Sequence, residues 1–457
     1  MAVHRIRRGL DLPLAGEPAQ TVEPAAAVAH VALLGADHVG LKPALRVQVG
    51  DEVLRGTPLF DDKRAPGVTH VAPAAGKVAA IHRGEMRAFQ SLVIAIAADD
   101  GPEQQVGFAS YTGRPVAALD ADAVRALLVE SGLWTALRAR PWSAIPSPAS
   151  TPHAIFVTAI DTHPHAPSVD VVLAGRETDF HAGVLAIAKL CAGTTFVCKA
   201  AGSAVSAPAA ANVRVEEFTG PHPAGTAGLH IHTLAPVDLD RSAWHVGYQD
   251  VAAIGHLVAT GRLDVARVIS IGGPGAARPR LLRTRLGASL DSLTRGELAP
   301  GEQRVISGSA LDGRTAQGEV HGYLGRYHQQ VAVVPEGGQR ELFGYVAPGA
   351  NKHSIWGVVL GHWAGRRKLA LTTTTNGSPR AMVPIGAYER VMPMDLMPTF
   401  LLRALITRNA EWAEELGVLE LDEEDVALCT YVCPGKVEYG PLLRDMLTRL
   451  EKEHAHP

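Results

Sequence analysis

Between residues 47 and 97, apolar and polar side chains alternate in short bursts: VQVGDEVLRGTPLF, then VTHVAPAAGKVAAIHRGE, then SLVIAIA. A period of two predicts half-buried strands, and Gly50, Gly56 and Gly76 supply turns where a Cβ is poorly tolerated. Over residues 120–137 the period changes, and Val124, Leu127, Leu128 and Leu133 fall on one face of a helix. A proline-rich loop, ARPWSAIPSPASTPH, leads to two strand-like runs, AIFVTAI (154–160) and VDVVLAG (169–175). A helix over FHAGVLAIAKLCAG and a strand over TTFVCKA follow. Strands separated by helix-length segments predict β-α-β units and a parallel, Rossmann-like sheet ending near Thr260. Residues 267–313, from RVISIGGPG to RVISGSALDG, are again β-rich and punctuated by glycine. Beyond His321 mixed strands give way to helices around 398–416 and 441–453.

Length turns these runs into domains. A chain of 457 residues exceeds one core, and the changes of period divide it into residues 1–105, 106–260, 261–320 and 321–457. The expected class is α/β and α+β multidomain. Hydrophobic residues make up 47% and charged residues 19%, enough apolar surface to fill such cores. Forty-three basic against 46 acidic residues lack the positive excess that a phosphate backbone demands, so nucleic acid is not an expected partner. The start, MAVHRIRRGLDLPLAG, reaches Asp11 and Pro13 before a signal-peptide apolar stretch can form. The apolar runs near 25–36 and 355–360 are too short to span a bilayer. Four cysteines in a chain of this size predict free thiols in a reducing, cytoplasmic compartment.

Candidate chemistry is sparse. No G-x-G-x-x-G lies between a strand and a helix; in IGGPGAARPR, Pro274 removes a donor and the next residues read as a strand. AGK and PGK are followed by valine, so neither is a phosphate loop, and neither G-x-S-x-G nor H-E-x-x-H occurs. CTYVCP, with Cys429 and Cys433, has the tail of a ferredoxin run without its leading C-x-x-C-x-x-C. Cys191 and Cys198 lie in another predicted domain, which favours core thiols over a cluster. The pairs His163/His165 and His230/His232, with His222 nearby, invite a metal reading, since an H-x-H on a strand points to one face. No Asp, Glu or Cys completes a ligand set at close spacing, so packed loop histidines are the preferred account. Residues 218–250 crowd glycine, proline, histidine and aromatics together, and are read as a packed connection rather than a ligand loop.

The G-D-x-V-x-x-G-x-x-L and A-P-x-x-G-x-V elements of the first region resemble the barrel-sandwich hybrid of biotinyl and lipoyl carriers. Lys63 is the one candidate carrier lysine, but it sits about two residues too far from A-P-x-x-G, and Pro66-Gly67 makes the better hairpin tip. The L-G-x-S-L of the third region resembles the SLBB β-grasp module. Together RRGLDLPLAG, VGDEVLRGTPLF, APAAGKVAAIHRGE, IDTHP, GPHPAG with HIH, GYQDV, RTRLGASL and CTYVCPGKVEYGPLLRD resemble, in order, the A subunits of bacterial sodium-translocating NADH:quinone oxidoreductases. RnfC and the flavin-binding subunit of complex I share the plan but carry the nucleotide loop and cluster cysteines absent here. The resemblance implies a peripheral subunit on the cytoplasmic side of the bacterial inner membrane, inactive alone, within a six-subunit pump that oxidises NADH, reduces ubiquinone and exports sodium. It further implies that flavins and iron–sulfur centres belong to other subunits and that this chain binds no cofactor or metal. It designates no catalytic or quinone-contacting residue. An RnfC-like electron carrier and a Lys63 carrier are the alternatives.

Overall fold

The computed structural model describes residues 2–338, 347–363 and 367–455. In the first region two small antiparallel sheets face one another. One joins His30–Leu34, Phe89–Ile96, Gly76–Arg83 and Glu52–Val53; the other joins Pro43–Leu45, Pro58–Asp62 and Thr69–Val71. Their inward side chains, among them Val31, Leu59, Phe60, Val78, Leu92 and Ile94, form a core of their own, as the period-two pattern requires.

The second region is a six-stranded sheet ordered Val3–Arg5, Val213–Thr219, Thr194–Ala200, Ala154–Ala159, Ala243–Gly247 and Arg138–Arg140. All neighbours are parallel except the last pair. The strands expected at 154–160 and 194–200 form. The helix expected at 120–137 divides: Asp120 caps Ala121–Glu130 by accepting from the Ala123 amide at 2.8 Å. Gly132, at φ +73°, then turns the chain into a 3-10 turn, Leu133–Ala136. The run at 169–175, expected as a strand, is instead the helix Val169–Leu173. Its buried residues are Val169, Val172 and Leu173, spaced i, i+3, i+4, and packing on that face overrides the strand preference of valine.

The third sheet is mixed: Arg314–Thr315, Gln303–Ser307, Gln330–Pro335, Ala266–Gly272, Arg280–Arg285 and Ala19–Pro24. Two of its strands come from outside 261–320. Beyond it, Ala387–Val391, Pro398–Thr407, Ala410–Glu415, Ala427–Val432 and Tyr439–Ala455 close a helical core that also takes in Leu12, Leu14 and Leu229. Among the described residues no helix is long and apolar enough to cross a membrane.

Candidate functional site

The parallel sheet locates the first candidate. Strand Ala154–Ala159 has Thr194–Ala200 on one side and Ala243–Gly247 on the other, so the connections diverge there. Open α/β sheets bind ligands outside the carboxyl ends of strands at such a switch point. IDTHP leaves Ala154–Ala159 and GPHPAG leaves Val213–Thr219 at this edge. There His163 Nδ1 donates to Asp161 Oδ1 at 2.7 Å, and its Nε2 lies 3.5 Å from Asp312 Oδ2. Burial disfavours a charged ring, but Asp312 and Asp161 outweigh it and hold the His163 pKa well above its ordinary value. His222, 4.6 Å from it ring to ring, pairs through Nδ1 with Thr162 Oγ1 at 3.1 Å. Burial first, and the His163 charge second, push His222 down to about 3.

Asp312, from the turn before Arg314–Thr315, and Glu424, from the C-terminal region, meet His163 with ligand atoms all within 4.8 Å of one another. The carboxylates missing at close spacing in the sequence are therefore supplied from far along the chain. Behind them the Arg140 guanidinium, with no exposed side-chain surface, lies 3.2 Å from Asp425, 3.5 Å from Glu424 and 3.7 Å from Asp422. The acidic run LDEEDV is the one sequence signal that could have drawn attention to this side.

The H-x-H pairs do not act as pairs. His165 turns away from His163, at φ +69°, and its Nε2 lies 3.2 Å from the Leu14 carbonyl oxygen. His230 and His232 lie on the helix Ala227–Leu234, not on a strand. Two helical residues two apart diverge by about 200°. His230 is therefore buried with Nε2 3.0 Å from Ala224 O, whereas His232 Nδ1 pairs with Glu420 Oε2 at 2.7 Å. Three residues of alternation, H-I-H, cannot distinguish the two periods.

A second candidate is a narrow cleft where the first, second and third regions meet. Leu33, Leu34, Val71, Leu133, Val265 and Leu286 line it, with Asp37, His38, His70, Ser131, Thr135, Asp264 and Arg326 as polar members. Arg326 Nη1 donates to both Asp250 oxygens, at 2.9 and 3.1 Å, while its Nη2 is buried without a partner. His70 Nε2 is also buried and unpartnered. Burial, then the Arg326 charge, lowers His70 to about 3, and burial likewise lowers His38, so both are neutral at pH 7. Tyr327 closes the polar end, donating to Thr135 O at 2.8 Å and lying 3.2 Å from His38 Nδ1. Nothing in the local sequence around His70 or Arg326 distinguishes them, because the cleft exists only once three regions are assembled.

Lys63 is exposed in the bend after Pro58–Asp62, and its amide donates to Lys42 O at 3.0 Å. The turn before Thr69–Val71 is made by Pro66 and Gly67, the latter at φ +90°. Cys429 and Cys433 are buried core thiols, each 1% exposed. Cys433 Sγ lies 3.2 Å from Tyr388 Oη and 3.5 Å from Tyr439 Oη. Cys191 sits in a separate core with the parallel sheet, and Cys198 packs on that sheet's other face.

Family profiles match three stretches: the NqrA N-terminal barrel-sandwich hybrid domain over 4–97, the NqrA second alpha/beta domain over 119–263, and the NQRA C-terminal domain over 268–318. Among curated relatives, the A subunit of the Na(+)-translocating NADH-quinone reductase of Serratia proteamaculans is 52% identical across 98% of this chain and 99% of its own length. Those of Pseudomonas aeruginosa and Neisseria gonorrhoeae are 53% and 51% identical over the same shares. An NAD+-reducing [NiFe]-hydrogenase structure in the air-oxidized state overlays with a TM-score of 0.39 at 14% identity, covering 78% of this chain and 65% of that one. That likeness is too low to bear on fold or function. Identity above one half, sustained from end to end and matched by three domain profiles in order, leaves one assignment: the chain belongs to the family of Na(+)-translocating NADH-quinone reductase A subunits.

Proposed function

We propose that the chain acts as the A subunit of a sodium-exporting NADH:ubiquinone reductase and holds the quinone headgroup in the cleft between its first three regions. The observation that carries this is the pair of buried groups without partners, His70 Nε2 and Arg326 Nη2, in a cleft walled largely by apolar side chains. An unsatisfied buried donor costs about 1–3 kcal/mol, which an acceptor-only guest would recover. A quinone offers two carbonyl acceptors on a flat apolar ring, and apolar walls with few polar groups suit it. The surrounding charge favours an oxygen that gains electron density: Arg326 and Arg267 share Asp250, while Arg314 pairs with Asp37.

In this reading electrons reach the cleft from flavins and iron–sulfur centres on partner subunits, and NADH is oxidised there. The chain sits peripherally on the cytoplasmic side of the inner membrane, against membrane-embedded members of a six-subunit pump, and sodium crosses elsewhere. No observation favours a Lys63 carrier or an RnfC-like electron carrier: the lysine is off the hairpin tip, and the cysteines are divided among separate cores. Titration of a short-chain ubiquinone into the purified chain tests the cleft. Arg326→Gln and His70→Phe should each weaken binding roughly tenfold, the loss of about one charge-assisted or neutral hydrogen bond, with circular dichroism unchanged. Equal affinity in both variants would refute the assignment.

A further inference from the structure

We propose that His163, Asp312 and Glu424 form a binding site for a divalent transition-metal ion of the Zn2+ class. The site lies at the carboxyl edge of the parallel sheet, is separate from the quinone cleft, and joins three regions of the fold. The donor set is one imidazole nitrogen and two carboxylate oxygens, within 4.8 Å of one another. Such an N/O set suits Zn2+ and its first-row neighbours better than thiophilic Cu(I) or the all-oxygen shells of Ca2+ and Mg2+.

Several independent observations point to a ligand. His163 Nδ1 is committed to Asp161 at 2.7 Å, which leaves Nε2 facing the carboxylates, where an incoming ion would displace its proton. A carboxylate that orients a ligating histidine through its other nitrogen is the usual arrangement behind metal-bound imidazole. The Nε2 to Asp312 Oδ2 separation of 3.5 Å is long for a hydrogen bond. It is close to the roughly 3.3 Å between neighbouring ligands of a tetrahedral ion with bonds near 2.0 Å. Glu424 Oε1 is buried 3.5 Å from the Arg140 guanidinium without a hydrogen bond, and His163 Nε2 is buried and lacks a hydrogen-bond partner. So does Nε2 of His222, which is 1% exposed and stands 4.6 Å from the His163 ring. Asp312 keeps 24% of its side chain open, giving an ion and its water a way in.

Arg140 faces Asp422, Asp425 and, at 3.5 Å, Glu424 Oε1, whereas Asp312 lies outside its reach and is open to a dication. Bound there, the ion would tie the IDTHP loop to the β-grasp turn and to the helical core.

The test uses the full chain, stripped by chelator and titrated with Zn2+ against a chromophoric competitor. One Zn2+ per chain should bind the wild type and raise its Tm. Asp312→Asn and Glu424→Gln should each weaken that site at least tenfold, and Asp161→Asn roughly tenfold, the usual range for an outer carboxylate. X-ray absorption should show nitrogen and oxygen neighbours without sulfur. His181→Asn, on a partly exposed helix position beside Ser206, should change nothing. Each variant's metal-free Tm reports its fold, and Asp312→Asn, on a solvent-open turn, is the variant expected to leave it unaltered. The proposal fails if no stoichiometric Zn2+ binds, or if the three variants bind it as tightly as the wild type, which would place the ion on scattered surface histidines.

Discussion

Single buried side chains set how this protein responds to pH and to lost charge. His70 and His230, 2% and 0% exposed, are held neutral, with pKa values lowered to about 3 and about 4, chiefly by burial. An unfolded histidine takes up its proton near pH 6.5, so below that pH the unfolded chain binds more protons than the native one. Stability therefore falls as pH drops from 6.5, by about 1.5 kcal/mol per such histidine by pH 5. His230→Gln should be less stable at pH 7, yet lose about 1.5 kcal/mol less than wild type between pH 6.5 and 5 in urea unfolding. An unchanged slope would contradict the neutral, buried ring. Arg140 makes the complementary case. Its guanidinium, fully buried, faces Asp422, Glu424 and Asp425. Arg140→Leu leaves these carboxylates uncompensated and should cost about 3–5 kcal/mol, read as a lower urea midpoint; a cost below 1 kcal/mol would show that Arg444, which also pairs with Asp422, already suffices. None of this was visible locally. Arg140 read as part of a proline-rich loop, and its partners lie more than 280 residues away, beyond the reach of any periodicity.

Strands at 154–160 and 194–200 were legible as short β-branched and aromatic runs buried on both faces, and the helices near 398–416 and 441–453 because an apolar period recurs over several turns. VDVVLAG and HIH were misread because so short an alternation fits either period, and the buried neighbours decide. Glycine placement on facing helices was not legible either. Glu177–Ala188 and Tyr248–Thr260 cross so closely that a Cβ on Gly183 would lie 1.9 Å from Val251 O, and one on Gly255 1.8 Å from Asp179 O. Both contacts are with backbone, which cannot swing aside. Gly183→Ala and Gly255→Ala should each destabilise by about 1–3 kcal/mol or more through forced separation of the helices, although alanine is the better helix former. Gly107→Ala, where no atom lies within 4 Å, is the control. Thermal unfolding of the three variants checks this, and a neutral Gly255→Ala would mean that the helices can part freely.

Across the protein, the first two dozen residues act as a thread through units that the sequence divides at 105, 260 and 320. Val3–Arg5 adds an edge strand to the parallel sheet, and Ala19–Pro24 adds one to the mixed sheet. Between them Leu12 and Leu14 enter the helical core, where Ala15 N donates to Leu369 O at 2.9 Å. Asp11 accepts from the His222 amide at 2.9 Å, so RRGLDLPL also braces the GPHPAG loop. This explains why an N-terminal motif with no recognisable chemistry occupies the centre of the assembly: its apolar residues complete someone else's core. Leu14 is 2% exposed. Leu14→Ala should cost about 2–5 kcal/mol, the range for emptying a leucine-sized space in a closed core. The loss should be local. Amide exchange should quicken in Pro398–Thr407 and Tyr439–Ala455, which share that core, and stay unchanged in Gly76–Arg83 and Phe89–Ile96, which have their own. Faster exchange everywhere would mean that the thread couples all the cores into one cooperative unit, whereas no change in the two helices would mean that it merely lies across them.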